Sequence, residues 1–273
     1  MYPIIPFGPL EISTYAVMLS LGASLGFWLT YRDAERKGLD IVEVLKLTAV
    51  AFAAGLIGAR GLVWLTSPAI YQERPFTSIF LLWDRSGMSL YGGLALSAIA
   101  GALYARTRGL DVWEVADTLA FAFLPAIAVA RLGCFLNGCC YGKPTTASWG
   151  LVAGGAPNLV NFDIPSHPTQ LYEAAAALVL FALLERMRWK RQFVGQLTVA
   201  FLVGYPLFRF FNEVLRGDPR PGWRIGDLGV LSLNQILSAA ALVLALAAGM
   251  LLERRGGANA NGTEGALPPR GEA

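Results

Sequence analysis

Residues 115–142 read VADTLAFAFLPAIAVARLGCFLNGCCYG, and the rest of the chain is interpreted from this stretch. Arg131 ends a long apolar run. A charge at bilayer depth costs about 2.5 kcal/mol or more, so an arginine there is a candidate functional residue. Gly133, Gly138 and Gly142 follow it and allow the backbone to turn and another group to approach closely. An arginine with such a backbone at the end of a membrane helix suits a lipid phosphate or another anion.

The composition indicates an integral membrane protein. Of 273 residues, 55% are hydrophobic and 15% are charged, whereas soluble domains average about 25% charged residues. The formal net charge of +3 is too small to suggest a nucleic-acid partner. The N-terminal sequence MYPIIPFGPLEIS lacks the basic region of a signal peptide, and the apolar run after it is long enough to cross a bilayer. We therefore expect a retained membrane helix.

The apolar segments predict an all-α, polytopic membrane protein with about seven transmembrane helices, because a helix needs roughly 17–25 apolar residues to cross a bilayer. Lysine and arginine are denser, and the loops shorter, after the first, third, fifth and seventh segments. The positive-inside rule then predicts a periplasmic N-terminus and a cytoplasmic C-terminus. The segments lie near residues 13–31, 44–66, 87–105, 112–133, 169–186, 193–215 and 228–252.

The connectors divide the chain into one transmembrane domain, residues 1–255, and a tail. Residues 67–86 are rich in aromatic residues and proline, and we expect them to lie along the membrane interface. Residues 139–168 predict a small periplasmic cap. The Gly/Ala/Pro-rich residues 256–273 predict a disordered cytoplasmic tail.

Polar residues of different segments are predicted to converge in the outer leaflet, given a helical rise of roughly 1.5 Å per residue. The cytoplasmic halves of the segments are predicted to be almost purely apolar. A small-solute channel or transporter needs polar residues through both leaflets, so this pattern disfavours transport. The converging residues are Arg131, Arg209, Arg60, Tyr15, Tyr91 and His167.

Arg209 and Glu213 are four residues apart, which predicts that they share a helix face. They could form an internal ion pair that neutralises two costly charges. Glu213 could also orient Arg209 toward an anionic head group, and the two interpretations are compatible. Arg60 could have a structural role, or it could make a second contact with the phosphate.

The sequence SHPTQLYEA, residues 166–174, predicts the start of a helix. Pro168 suits the first helical position, and Gln170 could reach back as a cap. His167 is the only histidine. It could cap or donate a hydrogen bond, or it could act as a general base, because imidazole accepts protons near neutral pH.

Gln170 and Glu173 are three residues apart and are predicted to share a helix face. Glu173 is predicted to lie in the membrane and therefore to need a partner, either Arg131 or Tyr91. From its sequence context alone, SLYGGLALS, Tyr91 is an interfacial aromatic residue beside small residues that allow close helix packing.

Cys134, Cys139 and Cys140 are all the cysteines of the chain. With His167 they could supply a Cys3His metal site. Their C-x4-C-C spacing lacks the usual C-x2-C pair of such sites. The sequence therefore favours a cluster of buried, unreactive thiols and predicts no metal.

Four segments in this order give the chain a resemblance to the prolipoprotein diacylglyceryl transferase family of bacterial inner-membrane enzymes. They are YGGL at 91–94, RLGCFLNGCCYGKPT at 131–145, HPTQLYEA at 167–174 and GYPLFRFFNE at 204–213. The resemblance covers about residues 10–250.

The resemblance implies a transferase that joins the diacylglyceryl group of phosphatidylglycerol to the thiol of the lipobox cysteine in an exported preprolipoprotein signal peptide. A thioether forms and glycerol 1-phosphate leaves, with no cofactor, metal or nucleotide. Such an enzyme would be a multi-pass protein of the bacterial inner membrane whose active site faces the periplasm. Its chemistry needs cations for the departing phosphate, a base for the thiol and a pocket for two acyl chains.

The resemblance also implies roles for individual residues. Arg131 would bind the phosphatidylglycerol head group, and Arg209, held by Glu213, would assist it. Asn137 and Gly142 match signature positions that shape the head-group loop, and Tyr15 matches an N-terminal tyrosine of the family. Gln170, Glu173 and Arg60 are candidate substrate-binding residues from their predicted positions alone.

This sequence departs from the family pattern at three positions. Tyr91 stands where some members have a histidine, the usual candidate for the base, and tyrosine is a poorer base at neutral pH. Tyr91 could form a hydrogen bond, His167 could take the proton, or the base could be another group. Cys134 and Cys139 replace an asparagine and a polar or acidic residue. A paralogue that uses another acceptor, or its own thiols, therefore remains an alternative to the transferase.

Overall fold

The chain folds as an all-helical protein with two short hairpins, as the sequence predicts for its fold class. The computed structural model describes residues 4–7, 10–66, 89–152, 164–217, 222–224 and 230–263. Within these ranges there are seven helices and two antiparallel pairs of strands. In chain order they are β1 (Ile4–Phe7), β2 (Leu10–Ser13), α1 (Thr14–Arg36), α2 (Ile41–Thr66), α3 (Leu90–Thr107), α4 (Val112–Asn137), α5 (Thr169–Arg188), α6 (Gln196–Leu215), β3 (Gly222–Arg224), β4 (Val230–Ser232) and α7 (Leu233–Thr263).

Each helix coincides with one predicted apolar segment. In the described part of the chain, three helical stretches are long and apolar enough to cross a membrane, namely α2, α4 and residues Leu233–Arg254 of α7. Helix α1 ends in a charged turn, and α5 carries acidic and basic residues along its length, which lowers their mean hydropathy. That α1, α3, α5 and α6 also cross a membrane remains a prediction.

Helix α4 is the central element. It packs against α1, α5 and α6, and half of its apolar stretch is buried, compared with 17% for α2 and 22% for α7. Asp111 caps its N-terminus by accepting hydrogen bonds from the backbone N–H groups of Trp113 and Glu114. Gly138 ends it in the left-handed conformation, with φ of 74°. The core includes Phe121, Leu124, Ile127, Ala177, Leu184, Leu197 and Phe201.

Helices α2 and α3 cross through glycines. A Cβ atom added at Gly58 would overlap the carbonyl oxygen of Gly92, and one added at Gly92 would overlap that of Gly58. Gly93 lies against the backbone of Gly55 in the same crossing. The two backbones are therefore in direct contact, as is common where small residues pack membrane helices together.

A buried polar cluster lies at the end of the bundle opposite Arg131. Asp117 accepts hydrogen bonds from the backbone N–H of Gly195 at 2.9 Å and from Thr198, through its backbone N–H at 2.8 Å and its hydroxyl at 2.7 Å. These bonds satisfy donors at the N-terminus of α6, where a negative charge is also favourable. A side chain of α4 thus caps the start of α6.

Asp33 extends this cluster to α1 and α5. It pairs with Lys37 at 2.9 Å and with Arg188 at 3.2 Å, and it accepts a hydrogen bond from Thr118. Arg191, in the α5–α6 connector, pairs with Glu114 at 2.7 Å. This hydrogen bond raises the pKa of Arg191.

The prediction of almost purely apolar inner halves is therefore wrong. Opposite charges from α1, α4 and α5 neutralise one another at this end, which offsets the cost of burying them. The apolar core around Phe121, Leu124 and Phe201 still separates this cluster from Arg131 and Arg209. The two polar groups thus lie on either side of an apolar core, as a helical bundle without a polar channel would have them.

The seventh helix starts later than the sequence predicts, and two predicted connectors lie wholly or partly outside the described residues. The seventh helix starts at Leu233 rather than near 228, because Val230–Ser232 pairs as a strand with Gly222–Arg224. Helix α7 ends at Thr263. That residues 256–273 form a disordered tail stays a prediction. The predicted interfacial connector 67–86 and the centre of the predicted cap, 153–163, lie outside the described residues.

Candidate active site

Glu173 lies at the centre of a buried group of charged side chains from three helices. Its Oε1 atom is 2.8 Å from Arg131 Nη2 of α4, and its Oε2 atom accepts a hydrogen bond of 2.7 Å from Arg209 Nη1 of α6. Arg209 Nη2 also lies 3.0 Å from Glu213 Oε2, which confirms the predicted ion pair. Glu173 and Arg209 are 1% and 3% exposed. Two carboxylates thus balance two guanidinium groups inside the bundle.

Each of these arginines keeps a donor for a ligand. The Nε atoms of Arg131 and Arg209 are buried and make no hydrogen bond with any of the described residues. A buried guanidinium N–H without a partner is costly, and an anion with several oxygens could accept from it. The site is therefore suited to bind a phosphate or a similar anion.

Tyr205 is a third donor to Glu173 and was missed from the sequence. Its hydroxyl donates a short hydrogen bond to Glu173 Oε1, and the side chain is 2% exposed. Tyr205, Arg209 and Glu213 follow one another at intervals of four residues, so they lie along one face of α6. That spacing was visible in the sequence and could have identified Tyr205.

The start of α7 holds Glu213 in place. Glu213 Oε1 accepts hydrogen bonds from Ser232 Oγ at 3.2 Å and from Asn234 Nδ2 at 3.0 Å. Neither residue was predicted at the site, because they are separated from α6 by a connector without a recognisable motif. Helix α7 therefore fixes the orientation of Arg209 through Glu213.

Tyr91 lies beside this group but bonds to α7. Its hydroxyl makes a short hydrogen bond with Ser238 Oγ, which itself donates to the Asn234 carbonyl oxygen at 2.7 Å. Because the Ser238 proton is used in that bond, Tyr91 is the donor to Ser238. Of the two partners predicted for Glu173, Arg131 is confirmed, whereas Tyr91 bonds to Ser238 instead.

Gln170 and Thr169 hold the backbone that follows α4. Gln170 Nε2 donates to the Cys139 carbonyl oxygen, and Thr169 Oγ1 donates to that of Cys140, both at 2.7 Å. The prediction that Gln170 caps its own helix is wrong, because α5 has no side-chain cap and this amide is used across the bundle. Pro168 stands at the N-cap rather than at the first helical position.

Gly142 packs directly against His167, in the segment before α5. Its N–H donates to the His167 carbonyl oxygen at 2.9 Å, and a Cβ atom added to it would meet the His167 backbone and side chain. Asn137 is the last residue of α4, directly before the left-handed turn at Gly138. Both lie in the loop predicted to shape the head-group site, and their contacts with a ligand remain a prediction.

His167 is half-buried and lies outside α5. Its Nδ1 atom is 3.2 Å from the Tyr172 hydroxyl, which also accepts a hydrogen bond of 2.9 Å from Trp149 Nε1. This contact fits the predicted hydrogen-bonding role. The alternative role, as a base, remains a prediction.

Tyr15 of α1 borders the site, and Arg60 is buried on α2. Tyr15 packs beside Gly133 of α4, and it interacts electrostatically with Arg131. Arg60 is 1% exposed. It lies on α2 close to the glycines where α2 crosses α3, the helix that contains Tyr91. Glu173 pairs with Arg131 and Arg209 rather than with Arg60.

Comparison with known proteins identifies the family. The family model described as prolipoprotein diacylglyceryl transferase matches residues 3–251. The chain belongs to the prolipoprotein diacylglyceryl transferase family. It is similar to proteins named phosphatidylglycerol–prolipoprotein diacylglyceryl transferase from several bacteria. It is 32% identical to that of Geobacter sulfurreducens over 255 residues, covering 91% of this chain and 94% of the relative. It is 36% identical to that of Bordetella parapertussis over 237 residues, covering 85% and 87%.

The four segments that carry the resemblance to the prolipoprotein diacylglyceryl transferase family meet in one place. They contribute Tyr91, Arg131, Glu173 and Arg209, which come from four different helices. Arg216, at the end of α6, joins them and was not predicted at the site. It is 7% exposed, and its backbone forms a bridge with Gly142. An arginine in a connector gives no sequence signal of burial.

Proposed function

We propose that this chain transfers the diacylglyceryl group of phosphatidylglycerol to the thiol of the lipobox cysteine in exported prolipoproteins. A carbon–sulfur bond forms at the glyceryl carbon, and the carbon–oxygen bond to the phosphate breaks. Glycerol 1-phosphate leaves with the bonding electron pair, and the thiol proton passes to a base. The family assignment and the printed names of the relatives support this reaction.

The observation that carries the proposal is the meeting of Arg131 and Arg209 on Glu173. Each guanidinium has a buried Nε–H that none of the described residues accepts, and two cations held side by side suit a phosphodiester. Negative charge increases on the leaving phosphate in the transition state, and fixed cations away from water stabilise it. Glu173 and Glu213 hold the cations in position before the lipid arrives.

The other side chains have supporting roles in this proposal. Gly142 and Asn137 shape the loop over the head group, and Gln170 fixes that loop through the Cys139 carbonyl group. Tyr15 and Arg60 bind the substrate from α1 and α2. The proton of the acceptor thiol passes toward His167, because the Tyr91 hydroxyl is engaged as a donor to Ser238. The reaction as written needs no metal or nucleotide.

We infer that the protein crosses the bacterial inner membrane seven times, with a periplasmic N-terminus and a cytoplasmic C-terminus. The basic residues that define the positive-inside pattern include Lys37, Arg188 and Arg191, which lie in the ionic cluster at the end opposite Arg131. The active site then faces the outer leaflet, where exported signal peptides arrive. Reporter fusions at the C-terminus that are active only in the cytoplasm would support this orientation, and periplasmic activity would contradict it.

The deciding experiment is an assay of the purified protein in vesicles with phosphatidylglycerol and a lipobox peptide. We expect glycerol phosphate release together with a matching mass gain on the peptide cysteine. Arg131→Ala should abolish both, whereas Arg106→Ala, at an exposed position on α3, should not. Release without a mass gain on the peptide would favour the paralogue with another acceptor. Full activity of Arg131→Ala would refute the site assignment.

A further inference from the structure

The three cysteines form a compact thiol cluster beside Arg131. The Sγ atoms of Cys134, Cys139 and Cys140 all lie within 4.8 Å of one another, and all three thiols are free. Cys134 is buried in the last turn of α4, and the other two are half-buried just after it. The grouped ligands are the three thiols alone, without the His167 that a Cys3His site would need.

The backbone holds these thiols together in two ways. The chain reverses after α4 through Gly138, and the N–H of Cys139 bonds back to the Cys134 carbonyl oxygen at 3.1 Å. Cys140 adopts φ of 66°, a left-handed conformation that side chains other than glycine rarely take. In extended backbone, neighbouring side chains point in opposite directions, so this conformation is what lets Cys139 and Cys140 reach the same point.

Two side chains of α5 hold the backbone that carries the thiol cluster. Gln170 Nε2 and Thr169 Oγ1 each donate a 2.7 Å hydrogen bond to the carbonyl oxygen of Cys139 and of Cys140, respectively. Both donors are buried, at 2% and 1% exposure. The thiols are therefore preorganised rather than carried by a free loop, and little ordering entropy would oppose a ligand that bridges them.

Three thiolates in this arrangement suit a soft cation. With metal–sulfur bonds of about 2.3 Å, as in zinc sites, a planar three-coordinate ion needs sulfur atoms about 4 Å apart. Zinc in structural sites takes four ligands, whereas soft thiolate ligands also select Cu(I). No histidine, aspartate or glutamate of the described residues belongs to the group, which disfavours a tetrahedral ion.

The cluster is in contact with the site of the proposed reaction. Arg131 Nη1 lies 3.9 Å from Cys134 Sγ, while Nη2 of the same guanidinium pairs with Glu173. Three thiolates around one monovalent cation carry a net charge of −2. That charge would attract Arg131 and compete with an anionic head group for it.

We propose that Cys134, Cys139 and Cys140 form a three-coordinate binding site for Cu(I), and that its occupation weakens the binding of anionic lipid by Arg131. Binding replaces the three S–H bonds with three S–Cu bonds and releases the protons to solvent. The proposal that Cu(I) binds rests only on the geometry of the three thiols. The effect on lipid rests on the proposed function.

The binding test uses the full-length protein in detergent, without oxygen, titrated with Cu(I) against a coloured Cu(I) chelator. We expect one Cu(I) per chain, a thiolate-to-copper absorption band in the near ultraviolet and a single shell of three sulfur atoms by X-ray absorption. Cys139→Ser and Cys140→Ser should each weaken binding by about tenfold or more. Met250→Leu, at an exposed sulfur position of α7, should not.

Three results of this titration would overturn the proposal. They are no Cu(I) retained against the chelator, Cu(I) retained equally by Cys139→Ser, or four-coordinate binding of Zn(II) in preference to Cu(I). Testing Cys139 and Cys140, which are half-buried, guards against a variant that fails only because it does not fold. The circular dichroism of each variant is recorded before metal is added.

The lipid arm measures transfer at varied phosphatidylglycerol with and without Cu(I). We expect the KM for lipid to rise about tenfold in the wild type, with a smaller change in kcat, and no such rise in Cys139→Ser relative to its own metal-free activity. Stoichiometric copper binding with an unchanged KM would overturn the competition with lipid. If no transfer occurs under any condition while copper still binds, the proposed function fails and the metal site stands.

Discussion

Glu173 Oε2 accepts a 2.7 Å hydrogen bond from Arg209 Nη1, and its other oxygen is 2.8 Å from Arg131 Nη2. One carboxylate of α5 thus links α4 to α6 inside the bundle. The link is electrostatic as well as mechanical, because Glu173 is the counter-charge that allows two guanidinium groups to be buried close together. The site and the packing of the three helices depend on the same side chain.

Glu173→Gln should impair both folding stability and activity. The amide keeps the shape but removes the charge, which leaves Arg131 and Arg209 with one carboxylate fewer between them. Removing one partner of a buried ion pair costs about 3–5 kcal/mol. We expect a clear drop in the thermal unfolding temperature in detergent and a loss of glycerol phosphate release.

Glu185→Gln is the matched control for that experiment. Glu185 pairs with Arg188 on the same helix at 2.7 Å, but its side chain is 38% exposed. Exposed pairs contribute about 0–1 kcal/mol, so both stability and activity should stay near wild type. Equal effects of the two substitutions would show that Glu173 has no special role.

Tyr91→Phe should retain most of the activity. The Tyr91 hydroxyl donates its proton to Ser238, so it is engaged in a structural bond between α3 and α7. Loss of one such bond costs about 1 kcal/mol, which corresponds to less than a tenfold effect. The measurement is kcat/KM across pH, with Ser238→Ala as the control expected to behave alike. A loss of several orders of magnitude in Tyr91→Phe alone would identify Tyr91 as the base.

Gly142→Ala should disrupt the site, and Gly61→Ala should not. A Cβ atom at Gly142 would overlap the His167 backbone, whereas one at Gly61 of α2 meets nothing within 4 Å. Alanine also favours helix over glycine by about 1 kcal/mol. We expect loss of transfer in Gly142→Ala and unchanged or higher thermal stability in Gly61→Ala. Full activity in Gly142→Ala would show that this loop is free to shift.

Asp117→Asn should destabilise the fold more than Asp111→Asn. Asp117 uses both oxygens, since Oδ2 accepts from Gly195 and Oδ1 from Thr198, and an amide would turn one acceptor into a donor facing an N–H. Asp111 accepts both of its hydrogen bonds through Oδ1, which asparagine preserves. We expect losses of about 1–3 kcal/mol and about zero, respectively, in the free energy of unfolding. Equal losses would contradict the role of Asp117 as the cap of α6.

Much of the fold was predictable because long apolar segments leave few alternatives to helices. The pair Arg209–Glu213 was also predictable, since a spacing of four residues fixes two side chains on one helix face. Contacts between helices were harder to predict. Ser238 meets Tyr91 although they are far apart in the sequence, and nothing in a run of serine, alanine and leucine indicates which serine faces inward.

The short strands and the ionic cluster could not be predicted from the sequence, and the reason is physical in both cases. Val230–Ser232 is apolar enough to extend the seventh helix, but its backbone pairs with Gly222–Arg224 instead. Asp33, Asp117 and Arg188 each look unfavourable in a membrane segment when taken singly. The burial of Asp33 and Arg188 is tolerated because they pair with each other, and that of Asp117 because it accepts hydrogen bonds from the start of α6. These contacts depend on how the helices pack.

The glycine crossing of α2 and α3 limits how the bundle can open. Packed helices slide past each other when side chains at their interface change rotamer, but Gly58 and Gly92 bring the two backbones into direct contact. We therefore expect α2 and α3 to move together as one rigid unit, and Arg60 and Tyr91 move with them. A lipid that enters the bundle from the side must therefore pass between another pair of helices.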